Sequence, residues 1–131
     1  IEKGYQPAFG PTIQMTNIDC NPVGVFKGKM AVTIRAFDPS ITDAVWKYTS
    51  HFPKCHGAPV GKNNAQELGI PEFNVNWMGN AFDIPEGTDR LYWACGITPS
   101  MVAQQAKLPF MISYTAGHAM MTDISTESLY A

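Results

Sequence analysis

The sequence predicts an α/β fold built around a mixed sheet, and three observations predict it. Residues 30–37 are a β-branched run with period-2 alternation, which is typical of a strand. Residues 41–48 carry apolar side chains at helical spacing, after a helix start at Asp38. Residues 91–97 and 110–114 are apolar runs on either side of a second helical pattern. A strand, a helix and a strand in succession imply a parallel pair with a right-handed crossover.

The elements before residue 90 alternate with turn-rich stretches. The first twenty-odd residues contain repeated Gly and Pro, so they are predicted to be extended, turn-rich chain. The first helix is predicted to stop before Pro53. The remaining predicted elements of this part are a loop at 54–61, a short helix at 63–68 closed by Gly69, a short strand at 81–84 and a turn at 85–87.

The later elements follow the apolar run that ends at Cys95. Thr98 is predicted to be the N-cap of the second helix and Pro99 its first residue, where a missing N–H costs nothing. The apolar positions of this helix continue to Leu108, and Pro109 ends it. The chain is then predicted to form a strand at 110–114, a turn at 116–118 and a last strand at 119–124.

Composition excludes several classes of function. The 131 residues carry a net charge of −2 with no basic run, which argues against a nucleic-acid partner. No apolar stretch reaches the roughly 18 residues of a membrane span. The three cysteines form no CxxC pair, so neither a zinc ribbon nor a redox dithiol is expected, and we expect no metal and no cofactor. The odd thiol count fits a reducing compartment, either the cytoplasm or the mitochondrial matrix.

The corner at Cys95 is the leading candidate for a site. A cysteine between a strand and a helix N-terminus lies beside free N–H groups, conditions that lower a thiol pKa and bind an anion. A small-molecule acidic substrate is therefore expected. A nucleophile needs a base, and His56 and His118, each beside a glycine, are the candidates. The structural alternative is a buried, inert thiol, since free cysteine is among the most buried residue types.

Other polar residues are candidates for binding a carboxylate. The backbone N–H groups of residues 96–100 and the Thr98 hydroxyl would hold the anion. Arg35 would clamp it or would simply face solvent on an alternating strand. Asn17 would donate its amide or cap a turn, and Asp123 would orient an imidazole or satisfy backbone at a strand end. The candidate substrate-binding residues are thus Asn17, Arg35, Gly96, Thr98, Ser100 and Asp123.

Two segments of the sequence are specific motifs, His-Gly-Ala-Pro-Val at 56–60 and Trp-Ala-Cys-Gly-Ile-Thr-Pro at 93–99. They occur in order with further segments at 16–24, 49–53, 68–70, 109–110, 117–118 and 122–123. Together these segments resemble one family, the hydro-lyases that include D-glutamate cyclase. The resemblance implies dehydrative ring closure of D-glutamate to 5-oxo-D-proline, which is carbon–oxygen lyase chemistry.

The same resemblance implies a two-part α/β protein of which residues 1–131 are a single region, the C-terminal half. We therefore expect a segment of a longer chain, completed by an N-terminal companion chain or by a homo-oligomer. The sequence departs from the family at three places: Arg is usual at His51, Gln at Ser100, and His-Ala-Pro-Gly-His over residues 114–118. These departures leave open an alternative, a non-catalytic ligand-binding or scaffold half. The methionines are expected to fill the core, and His51 to face solvent.

Overall fold

The residues that the structure describes form one sheet and two α-helices. The computed structural model describes residues 4–70, 78–79, 84–115, 117–118 and 121–131. Its strands are β1 (Phe9–Asp19), β2 (Lys29–Phe37), β3 (Gly61–Lys62), β4 (Met78–Gly79) and β5 (Asp89–Ala94). Its helices are α1 (Pro39–Ser50), α2 (Ile97–Gln105) and a 3-10 turn at Thr126–Leu129. Within the described residues the sheet has the order β3-β5-β2-β1-β4.

The predicted strand at 30–37 is confirmed as β2, and the structure buries side chains on both of its faces. One face forms a core with the segment that follows β3: Val32, Ile34, Tyr92, Ala65, Leu68 and Ile70. The opposite face packs on α1 through Phe37, Val45, Leu91 and Trp93. Both faces of β2 and β5 are therefore covered, and the predicted site at Cys95 lies directly after the end of β5.

The helix α1 confirms the predicted start and stop. Asp38 caps it, because its carboxylate accepts a hydrogen bond from the Ser40 backbone N–H at 2.8 Å, and Pro39 occupies the first turn. The helix ends at Ser50, three residues before Pro53. His51 is its C-cap, and its imidazole stacks on Tyr130 rather than facing solvent alone.

The predicted mixed sheet is wrong for the described residues, since every strand pair among them is antiparallel. The run 110–114 is not a strand, and neither are residues 121–124. The side chains of Phe110 and Ile112 are 77% and 83% exposed. The hydroxyl groups of Ser100 and Ser113 lie 3.0 Å apart, which ties this segment to α2 and away from a sheet edge. Residues 119–120 lie outside the described residues.

The first twenty residues contain a strand that the sequence did not predict. The buried side chains of β1 are polar, namely Thr12, Gln14 and Thr16, while the apolar Ile13 and Met15 are only half-buried. An apolar alternation would have predicted the strand, but here the core-facing positions are hydrogen-bonding side chains. The Thr16 hydroxyl, for example, donates to the carbonyl oxygen of Met30 at 2.8 Å.

Some of the smaller predicted elements are confirmed, and others are wrong. The turn at 85–87 is confirmed, while three residues of the predicted strand at 81–84 lie outside the described residues. Residues 63–68 form hydrogen-bonded turns, not a helix, although Gly69 has the left-handed φ of +67° that ends such a segment. The helix α2 ends at Gln105, short of the predicted Leu108. No helix in the described part of the chain has the length and apolarity to cross a membrane.

Candidate active site

The corner after β5 is held to β2 by the backbone of Cys95. The Cys95 N–H donates to the carbonyl oxygen of Ala31 at 2.9 Å, which extends the β2–β5 ladder by one residue. The chain then turns into α2 at Gly96, which is the N-cap and provides no side-chain hydrogen bond. The predicted order of the corner, strand then thiol then helix, is confirmed, and Cys95 is half-buried within it.

Thr98 does not cap α2, contrary to the prediction. Its hydroxyl accepts from the Ala31 N–H at 3.0 Å and lies 3.3 Å from the Ala31 carbonyl oxygen. The Thr98 hydroxyl therefore pairs the buried backbone N–H and C=O of Ala31 in β2. Because buried backbone groups need hydrogen-bond partners, Thr98 makes this contact instead of capping its own helix. Pro99 is the third residue of α2 instead of the first. Thr98 therefore fixes where the helix begins relative to the sheet.

The thiol of Cys95 differs from the prediction in its acidity. Burial raises the pKa of the Cys95 thiol, because a half-buried thiolate loses its hydration. A hydrogen bond from the Ile97 N–H opposes this effect but is weaker. The helix N-terminus was expected to lower the pKa, yet desolvation is the larger influence. Cys95 is consequently a neutral thiol at pH 7.

His56 lies at the outer edge of the same strand end. Along this edge the carbonyl oxygens of alternate β5 residues accept hydrogen bonds: Arg90 from the Asn63 N–H at 2.9 Å, and Tyr92 from the Val60 N–H at 2.7 Å. The next carbonyl in the series, that of Ala94, has the Nδ1 atom of His56 at 2.6 Å. The imidazole thus takes the place of a third backbone N–H in the ladder.

This bond determines the chemistry that the imidazole offers. A carbonyl oxygen only accepts, so Nδ1 of His56 carries the proton and donates it. In the neutral ring, Nε2 is then left with its lone pair as a proton acceptor. His56 is exposed, so a ligand can reach that nitrogen. The structure brings together two of the predicted catalytic residues, since Cys95 follows directly after the residue that holds His56.

The predicted anion site at the start of α2 has fewer free N–H groups than expected. The Thr98 N–H donates to the Cys95 carbonyl oxygen at 3.0 Å, and the Ile97 N–H points to the Cys95 sulfur. Pro99 has no N–H. The Tyr114 hydroxyl lies directly over Gly96, where an added Cβ would overlap it. Tyr114 is not among the residues predicted for the site, because a hydroxyl on an irregular segment gives no sequence signal of its own.

Asn17 and Arg35 lie away from the corner. Asn17 is in β1, two strands across the sheet from β5, a distance of roughly 10 Å at the usual strand spacing of about 4.8 Å. Its side chain packs on Gly69. Arg35 pairs with Leu91 in register, four residues along β2 from Ala31, which is roughly 13 Å at about 3.3 Å per residue. Neither side chain joins the group at Cys95.

Of the remaining predicted residues, Ser100 is half-buried, while His118 and Asp123 are exposed. Ser100 lies on α2 and its hydroxyl group contacts that of Ser113, as described above. His118 and Asp123 are both exposed, and the His118 N–H donates to the Thr115 carbonyl oxygen at 3.0 Å in a turn that also contains Gly117. No hydrogen bond or ion pair between Asp123 and the corner at Cys95 is seen among the described residues. Over the same residues, no group of three or more His, Cys, Asp or Glu side chains is arranged to hold a metal ion.

Comparison with known proteins identifies relatives over most of the chain. The model of the D-glutamate cyclase family matches residues 10–123. A Bacillus velezensis protein named as a "putative hydro-lyase" is 41% identical over 114 residues, 87% of this chain and 43% of that protein. A Bacillus subtilis protein of the same name, YcsI, is 39% identical over 114 residues, 87% of this chain and 44% of that protein. The chain therefore spans less than half the length of these relatives.

Proposed function

The chain belongs to the D-glutamate cyclase family, and we propose that it is a lyase of the hydro-lyase type acting on a small amino or carboxylic acid. The specific reaction proposed is dehydrative ring closure of D-glutamate to 5-oxo-D-proline. The observation that carries the proposal is the 2.6 Å contact between His56 Nδ1 and the Ala94 carbonyl oxygen. With Nδ1 held by this contact, Nε2 of the exposed His56 is available as a proton acceptor at the strand end that leads into Cys95 and α2.

Ring closure of glutamate needs proton transfer in both directions. The α-ammonium group must lose a proton before its nitrogen attacks the carbon of the side-chain carboxylate. The new C–N bond closes the ring, and a C–O bond breaks as one carboxylate oxygen leaves as water. Two of the three ammonium protons end on that oxygen, and the third remains on the lactam nitrogen, so ring closure releases and consumes no net proton although two protons must be carried from nitrogen to oxygen.

His56 is suited to carry these protons. Its Nε2 atom accepts a proton from the ammonium group, and the resulting imidazolium returns it to the departing oxygen. The carbonyl oxygen of Ala94 stabilises the imidazolium because it accepts the hydrogen bond of Nδ1 in both protonation states. His118 is proposed as a second proton-transfer residue, on a turn that is open to solvent.

Cys95 serves in this proposal as a neutral group that lines the site. A raised pKa leaves little thiolate at pH 7, which disfavours a covalent acyl intermediate through sulfur. A neutral thiol can still donate a weak hydrogen bond to substrate. Gly96, Thr98 and Ser100 would shape the carboxylate end of the site, and Asn17, Arg35 and Asp123 are left without a contact to a small substrate held there.

A complete site is proposed to include a second part of the fold. Three apolar side chains of the C-terminal region, Phe110, Ile112 and Met121, are 77%, 83% and 89% exposed, and burying such groups is the usual source of association energy. An N-terminal companion chain or a second copy of this chain would cover them. Light scattering on the purified chain tests this: a monomer at every concentration would contradict the homo-oligomer.

Turnover tests the proposed reaction. Purified chain is incubated with D-glutamate or with L-glutamate, and proton NMR follows the disappearance of each amino acid. We expect 5-oxo-D-proline to accumulate from D-glutamate at a rate proportional to the protein concentration. Chain that consumes neither amino acid, alone or mixed with a companion half, would favour the non-catalytic scaffold function.

A further inference from the structure

We propose that Tyr114 is a specificity-determining residue, whose hydroxyl donates a hydrogen bond to a carboxylate of the ligand at the corner between β5 and α2. The proposal rests on the proposed function of that corner, and it concerns how the ligand is bound and not how it reacts. Three features of the structure carry it: the space at Gly96, the attachment of the segment around Tyr114, and a hydroxyl that has no hydrogen-bond partner among the described residues.

Gly96 leaves the space that the Tyr114 hydroxyl occupies. Its φ of −60° and ψ of −12° are ordinary backbone angles that any residue adopts, so the conformation does not require glycine. A Cβ at this position would overlap the Tyr114 hydroxyl oxygen, while the nearest ring carbons would be in ordinary contact at 3.5 and 3.9 Å. The absence of a side chain at residue 96 therefore matters for the hydroxyl and not for the ring.

A second contact holds the segment against α2. The hydroxyl groups of Ser113 and Ser100 lie within hydrogen-bond distance, one residue before Tyr114 and one turn into the helix. The segment has no regular secondary structure of its own, so these side-chain contacts are what place it. The neighbouring Ser113 is thus held to α2, and the Tyr114 hydroxyl lies over Gly96 without a hydrogen bond of its own.

The Tyr114 hydroxyl has its donor available. Its side chain is 44% exposed, and the oxygen makes no hydrogen bond with any residue that the structure describes. The N–H groups of Ile97 and Thr98 are already used by Cys95, and Pro99 has none. Fewer backbone donors are consequently left for a carboxylate at this corner, and the hydroxyl over Gly96, the residue after Cys95, adds a side-chain donor there.

Binding of glutarate, a dicarboxylate without an amine to react, tests the proposal. We expect calorimetric titration to give a dissociation constant about tenfold larger for Tyr114→Phe than for the unmodified chain, as loss of one hydrogen bond to a charged group predicts. Tyr48→Phe is the matched control, because that ring packs on Tyr5 and Phe52. Its affinity should be unchanged.

A double-mutant cycle separates the hydroxyl from a general disturbance. Gly96→Ala should displace the hydroxyl and weaken glutarate binding as much as Tyr114→Phe does, whereas the double variant should be no weaker than either single one. Equal affinity of Tyr114→Phe and the unmodified chain, or additive losses in the cycle, would overturn the proposal. If the unmodified chain turns over D-glutamate but Tyr114→Phe does not weaken glutarate binding, only the contact through Tyr114 is rejected. If the unmodified chain neither binds glutarate nor turns over D-glutamate, the proposed function is rejected as well.

Discussion

The imidazole of His56 is hydrogen-bonded through Nδ1 to the carbonyl oxygen of Ala94 at 2.6 Å, across 38 residues of sequence. The bond continues the series of acceptors along the edge of β5, after the carbonyls of Arg90 and Tyr92. The imidazole, although it sits on a loop, is thereby positioned by the sheet itself. His56 is held at the carbonyl of Ala94, the residue directly before Cys95.

The bond to Ala94 predicts that two substitutions at His56 differ in stability. His56→Ala removes the donor and should lower the free energy of unfolding by about 1 kcal/mol, the usual net contribution of a hydrogen bond. In His56→Asn the side-chain amide can replace Nδ1 as donor, so stability should be close to that of the unmodified chain. Urea unfolding of both variants measures the difference, and a His56→Ala variant as stable as the unmodified chain would show that the bond contributes nothing.

Thr98 is predicted to be a positioning residue for the corner. Thr98→Val keeps the shape but leaves the N–H of fully buried Ala31 without its partner, which should cost about 1–3 kcal/mol. Thr98→Ser should restore most of the stability because it keeps the hydroxyl. Thr88→Val is the control, since that hydroxyl bonds only to an exposed turn. Thermal unfolding compares the three variants; a Val variant as stable as the Ser variant would contradict this role.

The acidity of Cys95 predicts a dependence of stability on alkaline pH. Because the folded-state pKa is raised, the folded chain holds the thiol proton more tightly than the unfolded chain. The stabilisation is complete below the ordinary thiol value of 9.0 and is lost as the pH rises through the folded-state pKa. Burial also raises the pKa of Tyr92, so the alkaline loss has two sources.

A difference measurement isolates the Cys95 contribution. Unfolding free energies of the unmodified chain and of Cys95→Ser are compared between pH 7 and pH values above about 9. We expect the unmodified chain to lose more stability over this interval, since serine does not titrate there. Parallel curves for the two proteins would mean that the thiol has the same pKa in the folded and unfolded states.

Asp89 predicts the opposite dependence at acidic pH. Its pKa is lowered first by the hydrogen bond from Lys62 and then by that from Asn63. The stabilisation is therefore present above the ordinary value of 3.8 and is lost as the pH falls through the folded-state pKa. Asp89→Asn should lower the free energy of unfolding by about 1 kcal/mol or less at pH 7, and by nothing in strong acid.

Asp43 provides the control for this ion pair. Its carboxylate also faces Lys62, at 3.5 Å, but it is 98% exposed. Asp43→Asn should leave the unfolding curve nearly unchanged at any pH, because exposed ion pairs contribute little. A larger loss from Asp43→Asn than from Asp89→Asn would contradict the assignment of the pair to β3 and β5.

The sequence predicted the parts of the molecule whose signals are local. The strand β2 and the helix α1 follow from alternation, helical spacing and the Asp38 cap. The corner at Cys95 was predicted from the order of strand, thiol and helix. These features depend on residues that are neighbours in the chain.

The features that the sequence did not predict depend on distant partners. The strand β1 has polar residues such as Gln14 at its buried positions, so its alternation is the reverse of the usual one. Thr98 bonds to Ala31, 67 residues away, in preference to capping its own helix. The raised pKa of Cys95 depends on burial, which no local pattern reveals. Tyr114 was missed because its role depends on the space at Gly96.

The rate of D-glutamate consumption by His56→Asn, measured beside the unmodified chain, tests the central claim most directly. The claim is that Nε2 of His56 carries the protons of ring closure while Nδ1 only holds the ring in place. Since Asn can replace Nδ1 but not Nε2, the variant should stay folded and lose at least about a hundredfold in rate. An Asn variant as active as the unmodified chain would contradict the claim and remove His56 from the reaction.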